Sequence, residues 1–197
     1  DLMAAVLDAG FGSSARLYEL SGALGMTPGA YHRGGPDQEI RYAVGRCALG
    51  LALVGATERG ICTVRFGDDR KALVAGLHEE FASAELREAS VELAPWLELV
   101  RAYVVGDSEL LEVPLDVRGT EFQLRAWSAL RAIPRGETRT YGELAEQLGL
   151  PGGARAVANS CANNEIPIAI PCHRVVPANG DSGGYRWGRE RKQRLLE

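Results

Sequence analysis

The chain has 197 residues, of which 46% are hydrophobic and 24% charged, and its net charge is −4. This length fits one large domain or two small ones, and the composition is ordinary for a globular protein with a buried core. No apolar run approaches the roughly 18 residues that span a bilayer and no signal peptide follows Asp1, so we predict a cytoplasmic protein without a membrane partner.

The first 35 residues predict two short helices around a glycine turn, at 2–9 and 14–24, which is typical of a helix-turn-helix. The segment is shorter than the roughly 40 residues at which a domain usually folds alone. It therefore packs on another domain or is the remnant of a larger one. The absence of an initiator Met and the helical sequence at 195–197 lead us to expect a chain clipped at both ends.

The next segment predicts an antiparallel sheet with helices beside it, and the whole chain is predicted to be α+β. Three β-like runs, separated by short turns, are typical of a three-stranded meander. Two stretches with helical spacing of apolar residues and one extended stretch follow. In chain order these elements lie at 40–47, 49–57, 60–67, 68–81, 91–106 and 110–117.

The rest of the chain is predicted to be mostly helical, with helices at 120–133, 140–150 and 152–164. The third helix is built of small residues and carries one strong charge, Arg155. An arginine placed in this way is suited to enter a DNA groove or to fill the gap left by an extruded base. The alternative is that the small residues only allow close helix packing and that Arg155 is solvated.

The charge is distributed unevenly between the two parts of the chain. Residues 118–197 carry 12 Lys and Arg against 8 Asp and Glu, whereas residues 1–117 carry 10 against 18. A basic excess indicates an anionic partner, of which nucleic acid is the commonest. Solvated arginines on helix surfaces produce the same excess about as often.

The four cysteines favour reduced thiols over a metal site or a disulfide framework. Cys47, Cys62, Cys161 and Cys172 form no C-x-x-C pair, and none has a histidine at zinc-finger spacing. Disulfides are rare in a chain of this size without a secretion signal. We expect Cys47 and Cys62, on predicted strands, to be core residues.

Cys172 and His173 are neighbours in the apolar run IPIAIPCHRVV, residues 166–176, which is typical of a buried strand. A nearby base or cation lowers the pKa of a thiol, and the thiolate is the nucleophile, so His173 and Arg174 favour a reactive Cys172. Most buried cysteines, however, are inert packing. Strand neighbours point to opposite faces, so the pair needs either a turn after Pro171 or a relaying water.

Five motifs follow one another in the chain: FQ-x-x-x-W (122–127), IPRGET-x-TYGELA (133–145), ARAV (154–157), NEIPIAIPCHRVV (164–176) and GYRWG (184–188). In this order they resemble the O6-alkylguanine-DNA alkyltransferase family, also called methylated-DNA–protein-cysteine methyltransferases. The resemblance covers roughly residues 37–197. The N-terminal segment resembles the second helix-turn-helix of AraC-type regulators, so the chain is similar to the Ada-like, bifunctional members of the family.

The resemblance implies three parts of the chain. They are a partial AraC-type helix-turn-helix at 1–35, a ribonuclease-H-like α/β subdomain at 37–117, and a winged-helix-like domain for DNA binding and the active site at 118–197. It further implies that a zinc-binding phosphotriester-repair module and a first helix-turn-helix have been lost or cut away.

The resemblance also implies an activity, which is DNA repair by transfer of an alkyl group from O6 of guanine, or less well O4 of thymine, to Cys172. Each molecule reacts once and needs no cofactor and no metal. His173 would form the thiolate through a water, and Asn164 would bridge the recognition helix to the active-site strand. Tyr141 would help to rotate the nucleotide and would give a proton to the leaving guanine.

Binding residues are implied in the same way. Arg155, between Ala154 and Ala156, would replace the flipped base while the two helices at 140–164 enter the minor groove of double-stranded DNA. The carbonyls of Cys172 and Val175 would accept hydrogen bonds from the guanine amine. Pro167, Gly183, Gly184 and Tyr185 would form pocket walls, with Cys161 near them and without a chemical role. A monomer in the bacterial cytosol or nucleoid is expected.

One feature departs from the family pattern, and three alternative functions stay open. The family glutamate that orients the histidine falls about two residues past Glu197 by spacing, so its role is not assigned to Glu197. The main alternative is an Ada-like regulator of transcription that responds to alkylation. A cysteine hydrolase would need an oxyanion hole that no motif names. A non-catalytic relative would lack the reactive cysteine, whereas Cys172 is present.

Overall fold

The computed structural model describes residues 38–108 and 113–197, so the predicted helix-turn-helix at 1–35 lies outside the described residues. No helix in these two ranges is long and apolar enough to cross a membrane. The elements, in chain order, are β1 (Glu39–Cys47), β2 (Gly50–Ala56), β3 (Ile61–Gly67), α1 (Arg70–Glu80), β4 (Glu85–Glu88), α2 (Ala94–Val105), α3 (Glu121–Arg131), β5 (Arg139–Thr140), α4 (Tyr141–Gln147), α5 (Ala154–Ala162), a 3₁₀ turn (Cys172–Arg174), β6 (Val175–Val176) and α6 (Arg189–Leu196).

The N-terminal part is a four-stranded sheet in the order β3-β2-β1-β4. The antiparallel pairing of β1, β2 and β3 confirms the predicted meander. The fourth strand pairs in parallel with β1, which corrects the prediction of a purely antiparallel, three-stranded sheet. The sequence ELRE of β4 is short and mostly exposed, so it carries no apolar alternation that would have marked it as a strand.

Helices cover both faces of this sheet. Successive residues of strand β2 point to opposite faces, and each face packs against a different helix. Leu53 packs in one cluster with Leu73 and Leu77 of α1. Val54 belongs to the other cluster, together with Val100 of α2. That second cluster continues into the helical half of the chain and includes Trp127, Leu130, Leu144 and Cys172. The two halves of the molecule therefore share one core.

The link between the halves runs beside β3. Ile61 donates its backbone N–H to the carbonyl of Pro114, and its own carbonyl accepts from Asp116 N–H, both at 2.8 Å. Gly60 makes this contact possible, because a Cβ at that position would lie 2.3 Å from the Pro114 carbonyl oxygen. The extended conformation predicted for this stretch is thus present in its described part, residues 113–117.

The helical half contains the three predicted helices with shorter bounds. Thr120 and Gln123 form a capping box at the start of α3, and Thr140 and Glu143 form another at the start of α4. A turn with two left-handed glycines, Gly149 and Gly152, separates α4 from α5. The short strands β5 and β6 pair in parallel, which brings the start of α4 beside the segment that carries Cys172.

Candidate active site

The segment that carries Cys172 is a turn and not the continuous strand that its apolar sequence predicts. Ile170 N–H bonds back to the Ile166 carbonyl at 3.0 Å, and the chain then forms a 3₁₀ turn over Cys172–Arg174. Ile168 has φ of 69°, a left-handed conformation that is strained for a β-branched residue. The apolar sequence IPIAIP, with three isoleucines and two prolines, resembles that of a buried strand, but Pro171 has no N–H to donate in a sheet.

Asn164, at the end of α5, holds this turn together. Its side-chain amide donates to the Ile170 carbonyl at 2.8 Å and lies 3.2 Å from the sulfur of Cys172. Its side-chain carbonyl accepts from Ile166 N–H at 3.0 Å. Asn164 is 2% exposed, so water does not compete for these bonds. The amide thereby fixes the position of the Cys172 sulfur.

The sulfur of Cys172 faces a cleft of about 390 Å³. This volume lies within the range of small-molecule sites and suits a single nucleobase. Four segments of the chain line the cleft: α4, the end of α5, the turn at Cys172 and the loop at 184–187. Their lining residues are Tyr141, Ala158, Cys161, Ala162, Asn164, Cys172, Gly184, Tyr185, Arg186 and Trp187. Cys172 itself is 7% exposed, so a small group that enters the cleft reaches it.

Burial raises the pKa of the Cys172 thiol, because a thiolate is poorly solvated in the protein interior. The hydrogen bond from Asn164 opposes this effect, followed by the positive charges of Lys192 and Arg186. Arg174 is not among the groups with the largest effects on the pKa of the Cys172 thiol. It lies buried and donates to the Tyr103 hydroxyl and the Ile133 carbonyl.

His173 is 1% exposed, next to Cys172 in sequence but turned toward Tyr103. Burial, together with the charges of Arg174, Lys192 and Arg135, lowers the pKa of His173 to about 3. The imidazole is therefore neutral at physiological pH. Within residues 38–108 and 113–197, no group forms a hydrogen bond with its Nδ1. A pKa so far below the operating pH makes His173 a weak proton acceptor in this state, since general-base chemistry works best near that pH.

Tyr141 reaches the cleft because β5 ends one residue before it and pairs with β6. The capping box of Thr140 fixes the first turn of α4 and thus the direction of the tyrosine. Burial raises the pKa of Tyr141 to about 12. Its hydroxyl therefore keeps its proton at neutral pH and is able to donate it.

The N-terminal sheet contributes to the site through Glu165. The carbonyl of Glu165 accepts from Val64 N–H of β3 at 2.8 Å. Its carboxylate pairs with Arg186, on the cleft wall, and lies 3.7 Å from the buried Arg65. Because Glu165 follows Asn164 directly, this contact fixes the residue that positions the sulfur.

Comparison with known proteins places these residues in a family. Residues 121–197 match the model of the 6-O-methylguanine DNA methyltransferase, DNA binding domain. A methylated-DNA–protein-cysteine methyltransferase of Methanosarcina acetivorans is 39% identical over 160 residues, which are 79% of this chain and 96% of that protein. The chain belongs to the methylated-DNA–protein-cysteine methyltransferase family.

Other relatives agree with this membership. The bifunctional transcriptional activator/DNA repair enzyme Ada of Escherichia coli is 43% identical over 192 residues, 97% of this chain, and the chain spans 54% of the length of that protein. Crystal structures of the Mycobacterium tuberculosis O6-methylguanine methyltransferase, alone and in complex with DNA, have TM-scores of 0.67 and 0.65 and identities of 33% and 34%. Each covers 80% of this chain and 90% of the mycobacterial chain.

The structure separates the expected site residues of this family member into two sets. Cys172, Asn164, Tyr141, Gly184 and Tyr185 line one cleft, and Cys161 lines it as well. His173 lies behind Cys172, toward Tyr103. Arg155 is exposed on the first turn of α5, beside the half-buried Ala154 and Ala156, and does not line the cleft.

Three residues expected as pocket walls or carbonyl acceptors are not among the residues that line the cleft, and their roles stay predictions. Pro167 forms a bridge with Ile170 inside the turn. Val175 is fully buried, and its carbonyl accepts from the Lys192 ammonium at 2.7 Å. Gly183, with φ of 73°, packs against Pro177.

Three other site residues were not singled out from the sequence. Arg186 and Trp187 belong to the motif GYRWG, but no chemical role distinguished them. Lys192 lies in the charged run RERKQR, which is typical of a solvated helix face. The structure instead buries it beside the cleft.

The pKa of His173 leads to a prediction about acid stability. Its value of about 3 lies below the ordinary 6.5, so the unfolded chain binds a proton that the folded protein excludes. The stabilisation is complete above pH 6.5 and is lost as the pH falls toward 3. Between pH 7 and pH 4 we expect His173 to account for about 3 kcal/mol of lost unfolding free energy.

Urea unfolding at both pH values measures this loss. The matched control is His78→Gln, because His78 is an exposed histidine on α1. His173→Gln should lose less stability than His78→Gln between pH 7 and pH 4, since carboxylate titration is common to both variants. Equal losses would show that His173 takes up its proton freely in the folded protein.

Proposed function

We propose that this protein repairs alkylated DNA by transferring a methyl group from O6 of guanine to the sulfur of Cys172, once per molecule. The observation that carries the proposal is the sulfur itself, which is held by Asn164 at the wall of a cleft large enough for one nucleobase. Membership of the methylated-DNA–protein-cysteine methyltransferase family supports the same reaction.

The transfer is a substitution at the methyl carbon. The thiolate of Cys172 forms the S–C bond while the C–O6 bond breaks, and the electron pair of the broken bond passes to guanine. Guanine then takes a proton from the hydroxyl of Tyr141 in the cleft. The proton that the Cys172 thiol loses restores that hydroxyl, so the overall step exchanges one methyl group for one proton. A neutral purine is a far better leaving group than its anion. The thioether product is stable, which explains a single turnover.

Base extrusion would deliver the damaged guanine to this cleft. A base inside a duplex is out of reach for a buried sulfur, so the nucleotide must rotate out of the stack. Arg155 lies exposed at the start of a small-residue helix, and in the described part of the chain its side chain forms no hydrogen bond or ion pair. It is therefore free to enter the duplex. The DNA complex of the mycobacterial relative supports DNA as the partner.

Regulation of transcription is the second candidate, because similarity to the Ada protein of E. coli extends over 97% of this chain and so includes part of residues 1–37. The residues that the structure describes support the repair reaction. A multi-turnover hydrolase is less well supported, since an ester carbonyl needs a pair of oxyanion donors beside the nucleophile. We infer that repair takes place in the bacterial cytosol or nucleoid.

Mass spectrometry tests the methyl acceptor directly. The reduced protein is incubated with an excess of duplex that contains one O6-methylguanine, and intact mass and peptide mapping follow. One methyl group should appear on Cys172, with unit stoichiometry. Cys161→Ser is the matched control because Cys161 lines the same cleft, and it should accept one methyl group as well. Cys172→Ser should accept none, and methylation at another cysteine would overturn the proposal.

Arg155→Ala tests base extrusion separately from chemistry. Repair of the lesion in duplex DNA should slow about tenfold or more, because unstacking a base costs a few kcal/mol. Reaction with free O6-methylguanine should stay within about twofold of the unmodified protein, since extrusion is not needed. Arg59→Ala, an exposed arginine in the β2–β3 turn, is the control and should leave both rates unchanged. Equal slowing of both reactions in Arg155→Ala would exclude the extrusion role.

A further inference from the structure

Lys192 is a lysine buried where the active site needs positive charge. It lies on α6 and is 1% exposed. A buried ammonium is unfavourable unless polar groups surround it, and lysines are almost never fully buried without a partner. Among residues 38–108 and 113–197, no carboxylate lies within 4.0 Å of its nitrogen in an ion pair, and Asp181 acts on it only at longer range. Its position therefore needs a reason other than a salt bridge.

Its hydrogen bonds connect the two segments that enclose the cleft. The ammonium donates to the Val175 carbonyl at 2.7 Å, directly after the 3₁₀ turn that carries Cys172. It lies 3.4 Å from the Gly184 carbonyl, on the cleft wall. Both acceptors are uncharged, so these bonds solvate the charge without cancelling it. The wall and the turn are held together by one cation.

The charge of Lys192 also lowers the pKa of the Cys172 thiol, next in effect after the hydrogen bond from Asn164. Besides the Asn164 amide, the groups around the Cys172 sulfur are Arg186 on the wall, Tyr141 of α4, Cys161 of α5 and Tyr185 on the wall, with neutral His173 adjacent in sequence. The tyrosines and Cys161 are neutral at physiological pH because burial raises their pKa values. Arg186 is compensated by Glu165. Among the described residues, Lys192 is thus the cation with the largest effect on the pKa of the thiol, and the Cys172 sulfur in turn opposes the lowering of the Lys192 pKa by burial.

We propose that Lys192 is a positioning residue whose ammonium, held by the Val175 and Gly184 carbonyls, stabilises the thiolate of Cys172 and fixes the adjacent cleft wall. The inference rests on the proposed function in that methyl transfer uses this thiolate. The thiolate itself, however, is measurable without DNA. Failure of the repair proposal and failure of this one are therefore distinguishable.

The experiment compares three substitutions at one position. Lys192→Met removes the charge and the donor, Lys192→Gln keeps an amide donor without charge, and Lys192→Arg keeps the charge. The matched control is Lys71→Met, because Lys71 is an exposed lysine on α1. The rate at which iodoacetamide alkylates Cys172 is followed against pH by peptide mapping, which distinguishes Cys172 from the other cysteines. Circular dichroism confirms the fold of each variant.

We expect the midpoint of the pH profile to move upward in the Met and Gln variants by about one unit, so that alkylation below the midpoint slows about tenfold. Lys192→Arg should restore most of the rate, and Lys71→Met should match the unmodified protein. A merely structural role would lower the rate without moving the midpoint. The rate of methyl transfer from O6-methylguanine DNA should also fall in the Met and Gln variants, and Lys192→Arg should keep most of it.

Two results would overturn the proposal. One is an unchanged midpoint in a folded Lys192→Gln protein. The other is a midpoint that moves as far in Lys192→Arg as in Lys192→Gln. This comparison tests the proposal even if the Met variant does not fold. If the midpoints move as expected but no variant, nor the unmodified protein, accepts a methyl group, the thiolate role stands and the repair proposal fails.

Discussion

The hydrogen bonds of one side-chain amide organise the active site. Asn164 uses its N–H groups on the Ile170 carbonyl and the Cys172 sulfur, and its carbonyl on Ile166 N–H. These bonds allow six residues of apolar chain to reverse direction in the interior, including Ile168 in a left-handed conformation that costs roughly 1–3 kcal/mol. Without this amide, the Ile170 carbonyl would rely on Cys172 N–H alone and the sulfur would have no fixed donor. A thiolate gains most from a donor that is already oriented, because no reorganisation is then needed during reaction.

The remaining parts of the structure bring charge and proton donors to that sulfur from distant parts of the sequence. The β5–β6 pair carries Tyr141 to the cleft, and α6 carries Lys192 beside it. The N-terminal sheet is coupled to the same point, because β3 bonds to Glu165, the neighbour of Asn164. The sheet is therefore more than a separate domain that accompanies the helical half. It supports the residue on which the nucleophile depends, which explains why the two halves share one core.

Local patterns predicted most of the fold and only part of the site. Apolar alternation and turn residues predicted the antiparallel meander, and helical spacing with caps predicted α3, although β4 was missed because a four-residue polar edge strand has no pattern of its own. The apolar sequence around Cys172 favoured a strand and left a turn after Pro171 as one alternative, and the structure has that turn. The sequence could not decide between them, because the Asn164 amide that holds the turn is a tertiary contact. The burial of Lys192 could not be predicted from the sequence for a related reason. Its sequence neighbours are charged, and only the packing of α6 against Val175 shows that it is buried.

The rate of methyl transfer in Asn164→Ala tests the central claim most directly, with Asn163→Ala as the matched control. Asn163 is the adjacent asparagine, but it is exposed and bonds only to the Asn159 carbonyl. Both variants are first shown to be folded at the assay temperature. A hydrogen bond to a charged group contributes about 1.5–3 kcal/mol, so single-turnover transfer from O6-methylguanine duplex should slow about tenfold to a hundredfold in Asn164→Ala. Asn163→Ala should react at the unmodified rate. If folded Asn164→Ala transfers the methyl group as fast as Asn163→Ala, the amide does not poise the sulfur and this account of the site is wrong.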